Sequence, residues 1–308
     1  MVVGEDGKPR IDSMPLKLSV FSARLRKIIK QFLNHPDRRW LLGLAYSLQI
    51  SIKTRRVVKV RFDDGVWVQK DKFGMVVDWN PSHTYSLPNF ESVTIDYYCY
   101  AYKPKSGDVV IDIGAGIGAE TYYFSKIVGP QGRVISIEAQ PQTYLCLNKF
   151  CQYNKLDNVV LLNAAVSDVQ SQVLIGTGEN HISNSIMNSI SGVMVDAVPL
   201  DSIVEKYALT EIDFIKMNIE GAEKLAILGM SKTLAMTRSV CICCHDFKAD
   251  RDGDESLRTR DVVSEFLIKN GFDVTSRSAD ERPWVRDHLF GTNLNLPPRS
   301  ASVFSERA

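Results

Sequence analysis

The chain has 308 residues, 44% hydrophobic and 24% charged, with a net charge of +1. That composition fits a globular protein with room for one large α/β domain and an extension. It offers no apolar run near the ~20 residues of a membrane span and no signal-peptide core; its six cysteines lack zinc-ribbon spacing, so free thiols, no metal and a cytoplasmic location are expected.

The charge is uneven: residues 1–62 carry 14 Lys/Arg against 4 Asp/Glu, the remainder 23 against 32. Residues 1–15 are polar and aperiodic, and disorder is expected there. In 17–33, Leu18, Phe21, Leu25, Ile28, Ile29 and Phe32 recur at helical spacing, with Arg24, Arg26, Lys27 and Lys30 on the other faces. Such a helix should pack on the acidic remainder or on a twin subunit in a homodimer; peripheral contact with an anionic membrane is the alternative. A second helix is predicted over about 37–50. Residues 57–62 and 66–70 flank Asp63-Asp64-Gly65 and read as a hairpin. The aromatic-rich stretch 78–102 ends in a Lys/Pro/Gly loop and is a candidate lid or simply core. Residues 16–102 are therefore expected as an N-terminal extension of basic helices, hairpin and lid-like segment, ahead of a main domain over 103–308.

From 108 strands and helices alternate, which predicts an α/β fold with a mostly parallel, seven-stranded sheet. VVIDIGAGIGAET (109–121) reads as a buried strand, a tight turn through Gly114, Gly116 and Gly118, and a helix start. Such a unit approaches a nucleoside-containing ligand closely. Glu138, closing the next strand RVISIE, is placed to accept ribose hydroxyls. The glycines also satisfy a loose dinucleotide pattern ending at Ala119. Asp112 tilts the choice, since a carboxylate beside the turn would repel a pyrophosphate and attract the ammonium of S-adenosylmethionine.

A helix is expected from Pro141, a strand over 159–166, two strands spanning the polar loop HISNSIMNSISG, and a helix over about 201–208. DFIKMNI (213–219) reads as an apolar strand before a helix opened by Glu220-Gly221-Ala222-Glu223. SVCICC (239–244) reads as a strand ending at His245-Asp246, with Cys241, Cys243 and Cys244 serving packing. A helix over 257–270 and two last strands complete the sheet. The acidic run 250–255 lacks the late glutamate of a calcium loop and reads as surface.

Ligands bind beyond the carboxyl ends of strands in such sheets. The polar residues there are Asp112, Glu138, Asn163, Asn218 with Glu220, and His245 with Asp246. Taken in order, DVVIDIGAGIGAET, ISIEAQP, VVLLNAAVSD, VPLDSI and DFIKMNIEGAE resemble the FkbM family of S-adenosylmethionine-dependent methyltransferases over about 90–295, with IKMNIEGAE after PLD as the specific part. The resemblance implies the Rossmann-like class I methyltransferase fold. It implies that Asp112, Gly114, Ala115 and Gly116 hold the methionine part, Glu138 the ribose, and Asn163 with Ala164 the adenine. Glu120, Thr121, Ala139 and Asn218 complete the expected cofactor set. It also implies a small-molecule acceptor, most often a hydroxyl of a natural product, sugar or lipid-like metabolite; N- or C-methylation and a non-catalytic adapter are alternatives. Where the family commonly has Asp, this chain has Asn218, which removes a base and a hard metal ligand.

An alcohol acceptor gains from a base that takes its proton. His245, with Asp246 to orient the ring, is the first candidate and Glu220 the second. Tyr97, Ser183, Asn184, Glu223 and His245 are expected at the acceptor. No nucleic-acid methylation motif follows a strand, and the acidic main domain disfavours a phosphate backbone as partner.

Overall fold

The computed structural model describes residues 32–176 and 192–297. Most of the basic segment 17–33 and the loop holding Ser183 and Asn184 lie outside the described residues.

A helix over Arg39–Thr54 precedes three strands, β1 (Lys59–Asp63), β2 (Val66–Asp71) and β3 (Gly74–Asp78). The predicted hairpin is β1–β2; β3 extends it to an antiparallel meander. Leu42, Tyr46 and Ile50 pack the helix onto Val58, Val60 and Trp67. Its opposite face is apolar and uncovered among the described residues, with Trp40, Leu44, Leu48 and Ile52 each at least 60% exposed. The aromatic stretch forms a helix over Leu87–Tyr98. Val66, Val68, Val76, Leu87 and Phe90 share one apolar cluster with Ala115, Ile117, Leu147 and Phe150, so meander, helix and glycine turn have a common core.

The main sheet contains β4 (Val109–Ile113), β5 (Arg133–Ile137), β6 (Val159–Leu162), β10 (Ile212–Met217), β11 (Thr237–Cys243), β12 (Phe272–Ser276) and β13 (His288–Asn293), in the order β12-β13-β11-β10-β4-β5-β6. Only β13 runs against the rest. Both faces are covered, which is why these strands read as nearly continuous apolar runs. Ile111, Ile113, Ile135, Ile137, Ile215 and Met217 fill one side; Val110, Val134, Phe214, Cys241 and Cys243 fill the other. Helices over Ala119–Val128 and Pro141–Asn154 follow β4 and β5. The second starts at Pro141, with the Gln140 side chain accepting from Thr143 N at 2.7 Å, a regular N-cap arrangement.

The segment 159–166, expected as one strand, breaks at Asn163-Ala164. Ala165–Val166 (β7) instead joins β8 (Ser171–Gly176) and β9 (Gly192–Val198) in a separate three-stranded sheet. The chain leaves β4 outward through β5 and β6, then returns to β10 on the other side of β4. That reversal is the topological switch point where ligands bind in such sheets.

Candidate active site

The carboxyl ends of β4 and β10 border a cavity of about 410 Å3. Of the residues singled out in the sequence, Gly114, Ala115, Gly116, Glu120, Glu138, Ala139, Ala164, Asn218, Glu220, Tyr97 and His245 line it. Tyr85, Phe90, Val93, Tyr98, Phe247 and Trp284 add an aromatic and apolar wall.

Two of the turn glycines are needed for different reasons. Gly114 has φ +73°, and a Cβ there would lie 2.0 Å from the Asn218 carbonyl oxygen; it permits close approach of β4 to the chain leaving β10. Gly116 has φ +56° but faces open space on the cavity wall. Both substitutions carry a left-handed backbone cost of about 1–2 kcal/mol. Gly114→Ala also forces a backbone collision, so urea unfolding should find it clearly less stable than Gly116→Ala. Equal stabilities would refute this division.

The Gly114 and Ala115 N–H groups donate to the Ile137 carbonyl at 2.9 and 3.0 Å. Glu138 accepts from Gly116 N and Gln140 N, both at 2.9 Å, one on each carboxylate oxygen. Burial raises its pKa above the ordinary carboxylate value, with the two N–H groups working the other way. Each oxygen keeps acceptor capacity towards the cavity.

Several expected roles are corrected. Asp112 does not line the cavity. It is fully buried under the turn, where Lys216 Nζ lies 3.0 Å away and Thr121 Oγ1 donates at 2.7 Å. Thr121 is likewise a buried support, also 2.9 Å from Ser136 Oγ. Asn163 turns its amide to the carbonyls of Glu138 and Ala139, at 2.8 and 3.0 Å, and leaves the wall to Ala164. Asp246 does not orient His245. It accepts from Thr259 N and Arg260 N at the start of the helix Arg260–Lys269, where its charge favours the free N–H groups.

Glu223 holds the His245 ring. It is buried away from the acceptor side, and its Oε1 lies 3.1 Å from His245 Nδ1 while accepting from Ile219 N and Gly221 N. Glu220 is not the start of a helix. It has φ +58°, pairs with Lys248, and has Oε1 3.6 Å from His245 Nε2. Burial pulls the His245 pKa down, but the Glu223 carboxylate, joined by Cys243 and Asp246, acts the other way and the net value is raised. Asn218 lines the cavity with Oδ1 buried and without a hydrogen-bond partner among the described residues.

Lys216 was not foreseen, although a lysine inside IDFIKM was the available signal: a fully buried ammonium needs a counter-charge. The parallel register sets Lys216 opposite Asp112. Its Nζ also donates to Gly114 O at 2.9 Å and lies 4.0 Å from Glu120. Burial works against the ammonium, but Asp112 and Glu120 outweigh it and raise the pKa above the usual lysine value. Glu120 is raised, chiefly by burial.

A family model described as the methyltransferase FkbM domain matches residues 112–274. The chain is 27% identical over 141 residues to a probable cobalt-precorrin-6B C(15)-methyltransferase (decarboxylating) of Saccharolobus solfataricus, covering 41% of this chain and 70% of that protein. It is 23% identical over 209 residues to the AMB antimetabolite synthetase AmbE of Pseudomonas aeruginosa, covering 55% of this chain and 10% of that protein. The crystal structure of an FkbM methyltransferase from Methylobacillus flagellatus aligns with TM-score 0.45 and 16% identity, over 68% of this chain and 51% of that one.

Proposed function

The chain belongs to the FkbM family of methyltransferases and depends on S-adenosylmethionine, and from that premise we propose that it methylates a hydroxyl of a small-molecule acceptor with His245 as proton acceptor. The residues at the switch point fit the cofactor. The unpartnered Asn218 Oδ1 suits an ammonium proton, the remaining acceptor capacity of Glu138 suits two ribose hydroxyls, and Ala164 and Val166 offer an apolar flank for adenine. Once bound there, the cofactor supplies a methyl group on sulfonium sulfur. The chain's own residues must then align the acceptor, exclude water and take one proton, and alignment alone is worth several kcal/mol of barrier.

The observation that carries this reading is His245 on the cavity wall, held from behind by the buried Glu223. Glu223 Oε1 already accepts from two backbone N–H groups, so it acts as acceptor and His245 Nδ1 carries the hydrogen. In the neutral ring the lone pair is then on Nε2, available to a hydroxyl. The wall of Tyr85, Phe90, Tyr97 and Trp284 suits a flat or apolar acceptor, such as a natural product or lipid-like metabolite, better than a bare sugar.

The test supplies cofactor labelled in the methyl group with a panel of alcohols, phenols, amines and carbon acids, and locates the label by mass spectrometry. A methyl ether is expected. Label found only on nitrogen would sink the hydroxyl assignment. Label on carbon would favour a second reading, to which the name of the S. solfataricus relative points.

A further inference from the structure

We propose that Cys241, Cys243 and His288 form a Zn2+ site whose fourth coordination position opens on the cavity. Cys241 and Cys243 are two residues apart on β11, so their side chains leave the same face of the sheet. Strand β13 runs antiparallel to β11, and its register sets His288 directly opposite Cys243. All three are buried, and their ligand atoms lie within 4.8 Å of one another. Tetrahedral Zn2+ with bonds of ~2.3 Å to sulfur and ~2.0 Å to nitrogen needs separations of about 3.5–3.8 Å. The observed separations are therefore within about 1 Å of those a tetrahedral ion requires.

A second, independent feature prepares the histidine. His288 Nδ1 lies 3.2 Å from the Tyr97 carbonyl oxygen, an acceptor that only an N–H can satisfy. That fixes the hydrogen on Nδ1 and leaves the Nε2 lone pair for a ligand. Zinc-bound histidines are oriented in this way, by a carbonyl or carboxylate on the other ring nitrogen. The Tyr98 ring stacks on the imidazole at 5.6 Å and 12°, which further limits its rotation.

The donor set selects the metal. Two thiolates and one imidazole suit Zn2+ over Mg2+, Ca2+ or Mn2+, which prefer oxygen. Three protein ligands with one open position is the pattern of zinc sites that admit water or substrate. Here Cys243 and His288 line the cavity and Cys241 lies behind them. Binding would release two thiol protons to solvent, one from each cysteine, leaving a neutral Zn(Cys)2His unit with no change in oxidation state. That neutrality also avoids a clash with the nearby Lys216 ammonium, already matched by Asp112 and Glu120. Cys244 follows the end of β11, also lines the cavity, packs in a different apolar cluster and lies outside the three-residue set, which makes it the natural control.

The test uses the full chain, reduced and stripped by a chelator, titrated with Co2+ and followed by absorbance. A thiolate-to-cobalt charge-transfer band should grow, saturate near about one equivalent and bleach when Zn2+ is added. Absence of that band in the wild-type chain would overturn the proposal without any variant being needed. Cys241→Ser and Cys243→Ser should each lose the band while keeping the far-ultraviolet dichroism of the wild type, and Cys244→Ser should keep it. A band that survives both serine variants, or disappears with Cys244→Ser, would overturn it equally. The readout does not involve methyl transfer, so it stands or falls apart from the acceptor assignment.

Discussion

His245→Ala is expected to lower kcat by about 10²–10⁴-fold, with affinity for S-adenosylmethionine nearly unchanged. The separation follows from geometry. The ring is held by Glu223 at the carboxyl end of β11, whereas the proposed cofactor contacts come from Gly114–Gly116, Glu138 and Asn218. The loss should depend on the acceptor. An alcohol must shed its proton as attack proceeds, while a phenol, with a pKa of about 10, needs less help. The ratio of wild-type to variant kcat should therefore be larger for the alcohol. Glu223→Gln acts through the ring: it still accepts the Nδ1 hydrogen but removes the negative charge, so an intermediate loss in kcat with unchanged KM is expected. Steady-state rates and isothermal titration of the cofactor check both. If His245→Ala turns over an alcohol at the wild-type rate, the proton goes elsewhere, and Glu220, 3.6 Å from Nε2, is the next residue to test.

Lys216→Met should destabilise the fold by about 3–5 kcal/mol, the cost of leaving a buried carboxylate without its partner. Asp112 is 0% exposed and Lys216 1%, so the carboxylate gains little solvation when its partner is removed. The same substitution frees the Gly114 carbonyl and removes the positive charge near Glu120. Asp112→Asn on its own should also destabilise. Combined with Lys216→Met it should recover a large part of the loss, because the uncompensated charge is gone. Urea unfolding of the four proteins of this cycle measures the coupling. Additive losses would mean that Lys216 and Asp112 do not act as one buried unit.

The two predictions differ in how visible their residues are in the amino-acid string. His245 stands at the end of an apolar run, SVCICC, and a polar residue there announces a strand end. Lys216 stands inside such a run, where only its partner explains it. That partner is 104 residues earlier and is assigned by the register between β10 and β4. Glu223 and Asp246 are a similar case. Both are acids near His245, one 22 residues before it and one adjacent. Sequence proximity favoured Asp246, but the chain turns into a helix at that point, and Asp246 is consumed by the N–H groups of Thr259 and Arg260. The turn into β3 is legible in Asp71 and Gly74, where Asp71 accepts from Phe73 N and Gly74 closes the turn, but the two residues at its tip, Lys72-Phe73, are not typical turn residues.

By itself the sequence determined the alternation of strands and helices, the glycine turn after the first core strand, the acidic end of the second, and the family to which they belong. These are local signals, written in hydrophobic period and in backbone conformations that few residues tolerate. Only the tertiary structure decided which polar residues meet: Lys216 with Asp112, Glu223 with His245, and Cys241 and Cys243 with His288. The physical reason is that strand order and register bring together side chains far apart in the chain. A shift of one residue in register would turn Lys216, or Cys241 and Cys243, to the opposite face of the sheet, while Glu223 reaches His245 from the short helix after β10.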